Sequence, residues 1–139
     1  MKGPVSTKWI DGMAFEVNIN GHKFTIDAVE EVGGKNRGPQ PKPFMLAALG
    51  GCTAMDIVSI LSKMRVEITD FEVLVDGKLT DEHPKHYQSM HIQYVFTGSN
   101  LPMDKLQKAV ELSQDRYCGV SASYKKAMEI TYEIIVKEG

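Results

Sequence analysis

Residues 41–65, PKPFMLAALGGCTAMDIVSILSKMR, are the longest run that reads as one helix, and they carry Cys52, one of two cysteines in the chain. Leu46, Leu49, Ile57, Ile60, Leu61 and Met64, with Phe44, Ala48 and Met55, recur at spacings of three and four. Charge is confined to Lys42 at the start and to Asp56, Lys63 and Arg65. That pattern predicts a helix buried nearly all round in its first half. Gly50 and Gly51 lie mid-helix, where each costs about 1 kcal/mol against alanine, so a close neighbour is expected there. Ala47, Ala48, Gly50, Gly51 and Ala54 form a small-residue surface beside the thiol, able to admit a helix, a substrate or the second cysteine.

Upstream, residues 32–42 (VGGKNRGPQPK) are too rich in glycine, proline and polar side chains for a strand or helix, and read as a loop that includes Arg37. Pro41 or Pro43 suits a helix start, because first-turn N–H groups have no partner to lose. Before the loop, 5–10 reads as a weak strand ending at an Asp11-Gly12 turn. Met13, Phe15, Val17 and Ile19 then alternate with polar or small residues up to Asn20-Gly21, and His22, Phe24 and Ile26 follow. A two-residue turn at Asn20-Gly21 predicts the pairs Ile19 with His22, Val17 with Phe24 and Phe15 with Ile26. His22 belongs to the rim of that sheet.

Downstream the period changes to two. Phe71, Val73, Val75 and Leu79 form one strand, and Met90, Ile92, Tyr94 and Phe96 a second after a polar turn. His83, His86 and His91 cluster in sequence, but no carboxylate or cysteine completes a ligand spacing, so they read as a solvated turn and strand face and no metal site is assigned. Pro102 opens a shorter helix with Leu106, Ala109, Val110 and Ser113 on one face. Cys118 follows its end, and Met128, Ile130, Tyr132, Ile134 and Val136 make a last strand. The order strand-strand-strand-helix-strand-strand-helix-strand predicts an α+β fold, one domain over 1–139, with antiparallel sheets around the long helix. A three-stranded sheet is too small to bury that helix alone, so a second copy of the chain is expected to complete the core as a homodimer.

The 139 residues, 42% hydrophobic and 24% charged, carry sixteen basic and eighteen acidic side chains for a formal charge of −2. No field of one sign would draw nucleic acid or an acidic membrane. The amino terminus lacks an apolar signal core and no apolar run approaches the roughly 20 residues that span a bilayer, so a cytoplasmic protein is expected. Two cysteines alone cannot close a four-ligand zinc site. A lone cysteine in an apolar helix is most often a core residue; peroxide chemistry needs a low-pKa thiol, a pocket and a second thiol to attack the sulfenic acid, with the two Cα atoms within about 7 Å.

The segment GPQPKPFMLAALGGCTAMDIVSIL (38–61), followed by ELSQDRYCGVSASY (111–124), closely resembles the two signature regions of the OsmC/Ohr family, which includes osmotically inducible protein C and the organic hydroperoxide resistance proteins. Shared are the proline-rich approach, the small-residue helix around the cysteine, and a second cysteine followed by small residues, Val and Ser. The wording GGCTAMD looks most like the OsmC-like branch. The resemblance implies an intertwined homodimer with sites at the subunit interface and a cysteine peroxidase that needs no metal, haem or other cofactor. By position Cys52 matches the peroxidatic thiol and Cys118 the resolving thiol, a Cys52–Cys118 disulfide being reopened by a dithiol reductant. Family peroxidases also carry a first-turn glutamate that holds an activating arginine; here Lys42 and Pro43 occupy those positions, and Arg37, the only arginine before Cys52, takes the arginine role. With no glutamate, Arg37 is expected to be less ordered. The leading function is reduction of organic hydroperoxides, and of hydrogen peroxide, in oxidative stress defence. The alternative is a non-catalytic dimer of the same fold that binds or senses a small apolar or electrophilic molecule. Inert structural cysteines are a third reading.

Overall fold

Asn20 (φ 53°) and Gly21 (φ 84°) both take positive φ, as a tight hairpin turn requires. In the computed structural model, which describes residues 3–139, that turn joins β2 (Ala14–Ile19) to β3 (His22–Ile26). The pairs are those the alternation predicts: Ile19 with His22, Val17 with Phe24, Phe15 with Ile26. β1 (Ser6–Asp11) adds antiparallel on the other side of β2. The first turn is displaced by one residue from the expected Asp11-Gly12. Asp11 pairs with Ala14, leaving Gly12-Met13 in the loop, and the Trp9 indole Nε1–H donates to the Gly12 carbonyl at 2.8 Å. Met1 and Lys2, part of the leader reading, lie outside the described residues.

The chain divides into two compact units, the first ending at Met45 and the second running from Leu46. In the first, the glycine- and proline-rich loop is organised by Asp27, whose carboxylate is buried and accepts the backbone N–H groups of Ala28 (2.7 Å), Lys35 (3.2 Å) and Arg37 (3.2 Å). Phe24 and Phe44 pack with centroids 5.1 Å apart and their rings tilted by 34°.

The long helix α1 (Phe44–Lys63) begins where the prolines predict, with Phe44 N–H on the Pro41 carbonyl at 3.1 Å. Leu49, Thr53, Ile57 and Leu61, one per turn, are buried. The expectation of burial nearly all round is not met: Ala47, Ala48, Gly51 and Val58 are exposed and Met55 is 77% exposed, because the sheet of the second unit covers one face. A Cβ at Gly50 would sit 3.4 Å from Val75 Cγ2 and 4.0 Å from Val73 Cγ1, so Gly50 lets the helix lie close on the sheet. At Gly51 it would meet nothing within 4 Å. By length and composition α1 is also long and apolar enough to cross a membrane, contrary to the expectation that no run approaches that length. Its buried line carries Thr53, bound into a network of polar side chains.

The second sheet has the order β4 (Asp70–Leu79), β5 (Tyr87–Thr97), β6 (Glu129–Lys137). β4 and β5 are antiparallel, with Val73 opposite Tyr94 and Phe71 opposite Phe96, the latter rings stacked at 4.7 Å. Met90, Ile92, Tyr94 and Phe96 are buried as their alternation predicts. β6 runs parallel to β5, not antiparallel as expected. The connection is a helical crossover of α2 (Met103–Leu112), a π-helical turn (Ser113–Tyr117) and α3 (Gly119–Lys125), the kind of long return that parallel pairing requires. α3 is a third helix, absent from the predicted order of elements. The α+β class and the order of the strands along the chain before and after α1 hold.

Candidate active site at two cysteines and a carboxylate

Cys52 and Asp56 are one helical turn apart on α1, so both side chains leave the helix on one side. Cys118 arrives from the crossover. It follows the π-helical turn and caps α3, its Sγ accepting the Ser121 N–H at 3.4 Å. The two sulfurs and an Asp56 carboxylate oxygen all lie within 4.8 Å of one another. Both cysteines are free thiols, Cys52 half-buried and Cys118 only 3% exposed. Burial pushes the Cys118 thiol up to about 11; the Ser121 N–H works the other way, while Cys52 and the Asp56 charge add to the rise.

Five polar side chains fix this arrangement, and counting their protons fixes the direction of the bonds. Ser113 Oγ–H donates to Asp56 Oδ2 at 2.9 Å, since an ionised carboxylate only accepts. Its one proton spent, Ser113 must accept from Thr53 at 2.7 Å, and Thr53 in turn from the Tyr94 hydroxyl at 2.7 Å. Gln114 Nε2–H donates to Tyr94 at 2.8 Å, and the Ser121 hydroxyl donates to Gln114 Oε1 at 2.7 Å. A single directed chain therefore runs from the helix that Cys118 caps to the carboxylate beside Cys52. Burial pushes Tyr94 up to about 12, which keeps its proton in the chain. Among the described residues no buried side-chain nitrogen or oxygen lacks a partner. The π-helical turn makes this possible: the Cys118 N–H bonds the Ser113 carbonyl at 2.8 Å, and the wider loop turns Ser113 and Gln114 inward.

Of the residues singled out in the sequence, the fold brings Cys52 and Cys118 together. Arg37 belongs to the first unit. There its Nε donates to Asp27 Oδ2 at 3.2 Å and its Nη2 to Asp11 Oδ1 at 2.6 Å, with Nη1 on Asp11 Oδ2 at 3.2 Å. Expected to be poorly ordered for want of the helix-start glutamate, it is held by two other carboxylates. Burial raises Asp27, but the hydrogen bonds from Arg37, Ala28 and Lys35 outweigh it and hold the carboxyl below the usual range. Asp11 is lowered by its bond to Arg37. The histidines do not converge: His91 bonds Thr131 at 2.7 Å and Glu133 at 2.8 Å, and His86 the Tyr87 carbonyl.

Sequence reasoning missed Asp56, Thr53, Tyr94, Ser113 and Gln114. For Asp56 a signal was present, since it is the only charge between residues 44 and 62 and lies one turn past Cys52. Beside it opens a cavity of about 480 Å³ bordered by Asp56, Ile60, Lys63, Met64, Leu112 and Tyr117.

Fold and site thus define a class: an α+β protein whose long helix and second-sheet crossover each present a thiol to the other. The chain belongs to the OsmC-like family, whose model, described as OsmC-like protein, matches residues 34–133. It is 33% identical over 131 residues to protein YhfA of Escherichia coli K12, covering 92% of this chain and 95% of that one. A hypothetical protein from Aquifex aeolicus superposes with a TM-score of 0.86 at 28% identity, covering 100% and 99% of the two chains. An organic hydroperoxide resistance protein OsmC from Legionella pneumophila shares the fold, with a TM-score of 0.71, 13% identity and 96% and 97% coverage.

Proposed function

We propose that this protein is a cysteine-based peroxidase that reduces organic hydroperoxides, and hydrogen peroxide, in oxidative stress defence. The observation that carries the reading is the approach of two free thiols to within 4.8 Å, one half-buried and one enclosed. Cys52 is the peroxidatic residue: its thiolate attacks the terminal peroxide oxygen, the O–O bond breaks, the departing alkoxide takes a proton from solvent and leaves as the alcohol, and Cys52 becomes a sulfenic acid. Cys118 resolves it. Its sulfur attacks that of Cys52, water leaves, and the disulfide is reopened by a dithiol reductant. The assignment of roles follows from access, because the half-buried thiol is the one a substrate reaches first and the enclosed thiol keeps its proton until then. No metal or other cofactor takes part in these steps.

For Arg37 we keep the role that the resemblance implies; within the first unit its guanidinium is held by Asp11 and Asp27. The open face of α1, with Met55 and Val58, is assigned to a second copy in a homodimer, and the site of action to the cytoplasm. The test is hydroperoxide consumption in the presence of a dithiol. Cys52→Ser should abolish it, and Cys118→Ser should stop after one turnover with a sulfenic acid trappable at Cys52. Turnover undiminished in Cys52→Ser would overturn the proposal.

A further inference from the structure

We infer that reduced Cys52 and Cys118, with Asp56, form a binding site for one thiophilic divalent cation of the zinc type, and that cation and disulfide are mutually exclusive occupants. Two sulfurs and one carboxylate oxygen within 4.8 Å of one another are a three-ligand set that needs only small side-chain movements to meet a common ion. Cysteine sulfur and aspartate oxygen are both ordinary zinc ligands, at about 2.3 Å and about 2.0–2.2 Å. The carboxylate is oriented as outer-shell partners orient metal ligands, with Ser113 Oγ–H on Oδ2 at 2.9 Å leaving Oδ1 for the ion. Ser113 is itself fixed by Thr53. The cavity of about 480 Å³ bordered by Asp56 and Lys63 opens on the carboxylate side of this set.

The sequence reading dismissed a metal because two cysteines cannot close a zinc site. Asp56, one turn from Cys52, is the ligand it did not count. The peroxidase cycle does not use this half-buried carboxylate, so its place beside two thiols is otherwise unaccounted for. Binding forms two metal–sulfur bonds and releases the two thiol protons. An organic hydroperoxide would discharge the site. The two thiolates give two electrons to the O–O bond, one S–S bond forms, the alcohol and water leave with two protons taken from solvent, and the cation departs with its charge unchanged. The ion thereby holds the thiols reduced and out of reach of slow oxidation. This consequence for peroxide chemistry rests on the peroxidase reading, whereas cation binding does not.

The probe is cobalt(II), titrated anaerobically into the reduced full-length protein and then displaced with zinc. The expected result is one equivalent bound per chain, with near-ultraviolet thiolate charge-transfer absorption. The absorption should vanish in Cys52→Ser and in Cys118→Ser, and after diamide has closed the disulfide. Loss of an outer-shell partner costs about 10–100-fold in metal affinity, so Asp56→Asn, a ligand change, should weaken binding by at least about tenfold with an unaltered far-ultraviolet circular dichroism spectrum. Absence of thiolate absorption, undiminished affinity in Asp56→Asn, or retained binding after diamide would each overturn the inference. Cobalt bound in the expected way by a protein that consumes no hydroperoxide would keep this inference and sink the peroxidase reading; active turnover without cobalt binding would do the reverse.

Discussion

Cys118 is held as a thiol rather than a thiolate, and its chemistry follows from that. With the group pushed up to about 11, chiefly by burial, the thiolate fraction near pH 8 is far below that of a free cysteine near 8.5. Alkylation of Cys118 by iodoacetamide, followed by peptide mapping, should therefore still be climbing at pH 10. A plateau near pH 9 would contradict the enclosure described. The Asp11–Arg37–Asp27 cluster titrates in the opposite sense. Both carboxyls lie below their ordinary value of 3.8 when folded, so the unfolded chain binds more protons in that range. The stability they confer is present above about pH 4 and is lost as pH falls through the lowered values. Trp9 fluorescence reports on the same unit, and its acid transition should move to higher pH in Asp27→Asn. An unchanged midpoint would remove Asp27 as the organiser of the loop.

At the scale of elements, α1 carries two functions on adjacent lines. Its buried line makes the core and, through Thr53, the directed chain of hydroxyls. Thr53→Val keeps the shape but leaves the Tyr94 hydroxyl without an acceptor and Ser113 without a donor. It should cost about 1–3 kcal/mol by urea denaturation, against about 0.5 kcal/mol or less for Ser59→Ala on the exposed side. Equal costs would show that the chain of bonds is ornamental. Much of this helix was legible beforehand, since spacing of three and four with prolines ahead of Phe44 is a local signal, and so was the Asn20-Gly21 hairpin register. The parallel direction of β6 was not: alternation gives a strand its faces but not its partner's sense, which depends on how far the crossover carries the chain. Nor was the polar network, because its members are scattered across α1, β5, the π-helical turn and α3 and meet only on folding. Asp56 was visible as a lone charge but needed Cys118 beside it to acquire a meaning.

For the molecule as a whole, the exposed apolar residues of α1 carry the proposal of a second copy. Met55, 77% exposed in the single chain, would be an indifferent site for Met55→Lys in a monomer, shifting stability by about 0.5 kcal/mol or less. In the homodimer it should halve the mass measured by light scattering after size exclusion, and a parent already running at the mass of one chain would refute the assembly. The central claim is the two-thiol cycle, and intact-protein mass spectrometry with free-thiol counting tests it most directly, on reduced protein given one equivalent of an organic hydroperoxide. The account predicts a rapid loss of two hydrogens and of both free thiols in the parent, and gain of one oxygen at Cys52 in Cys118→Ser. Two thiols still reduced and a mass unchanged after treatment would contradict it.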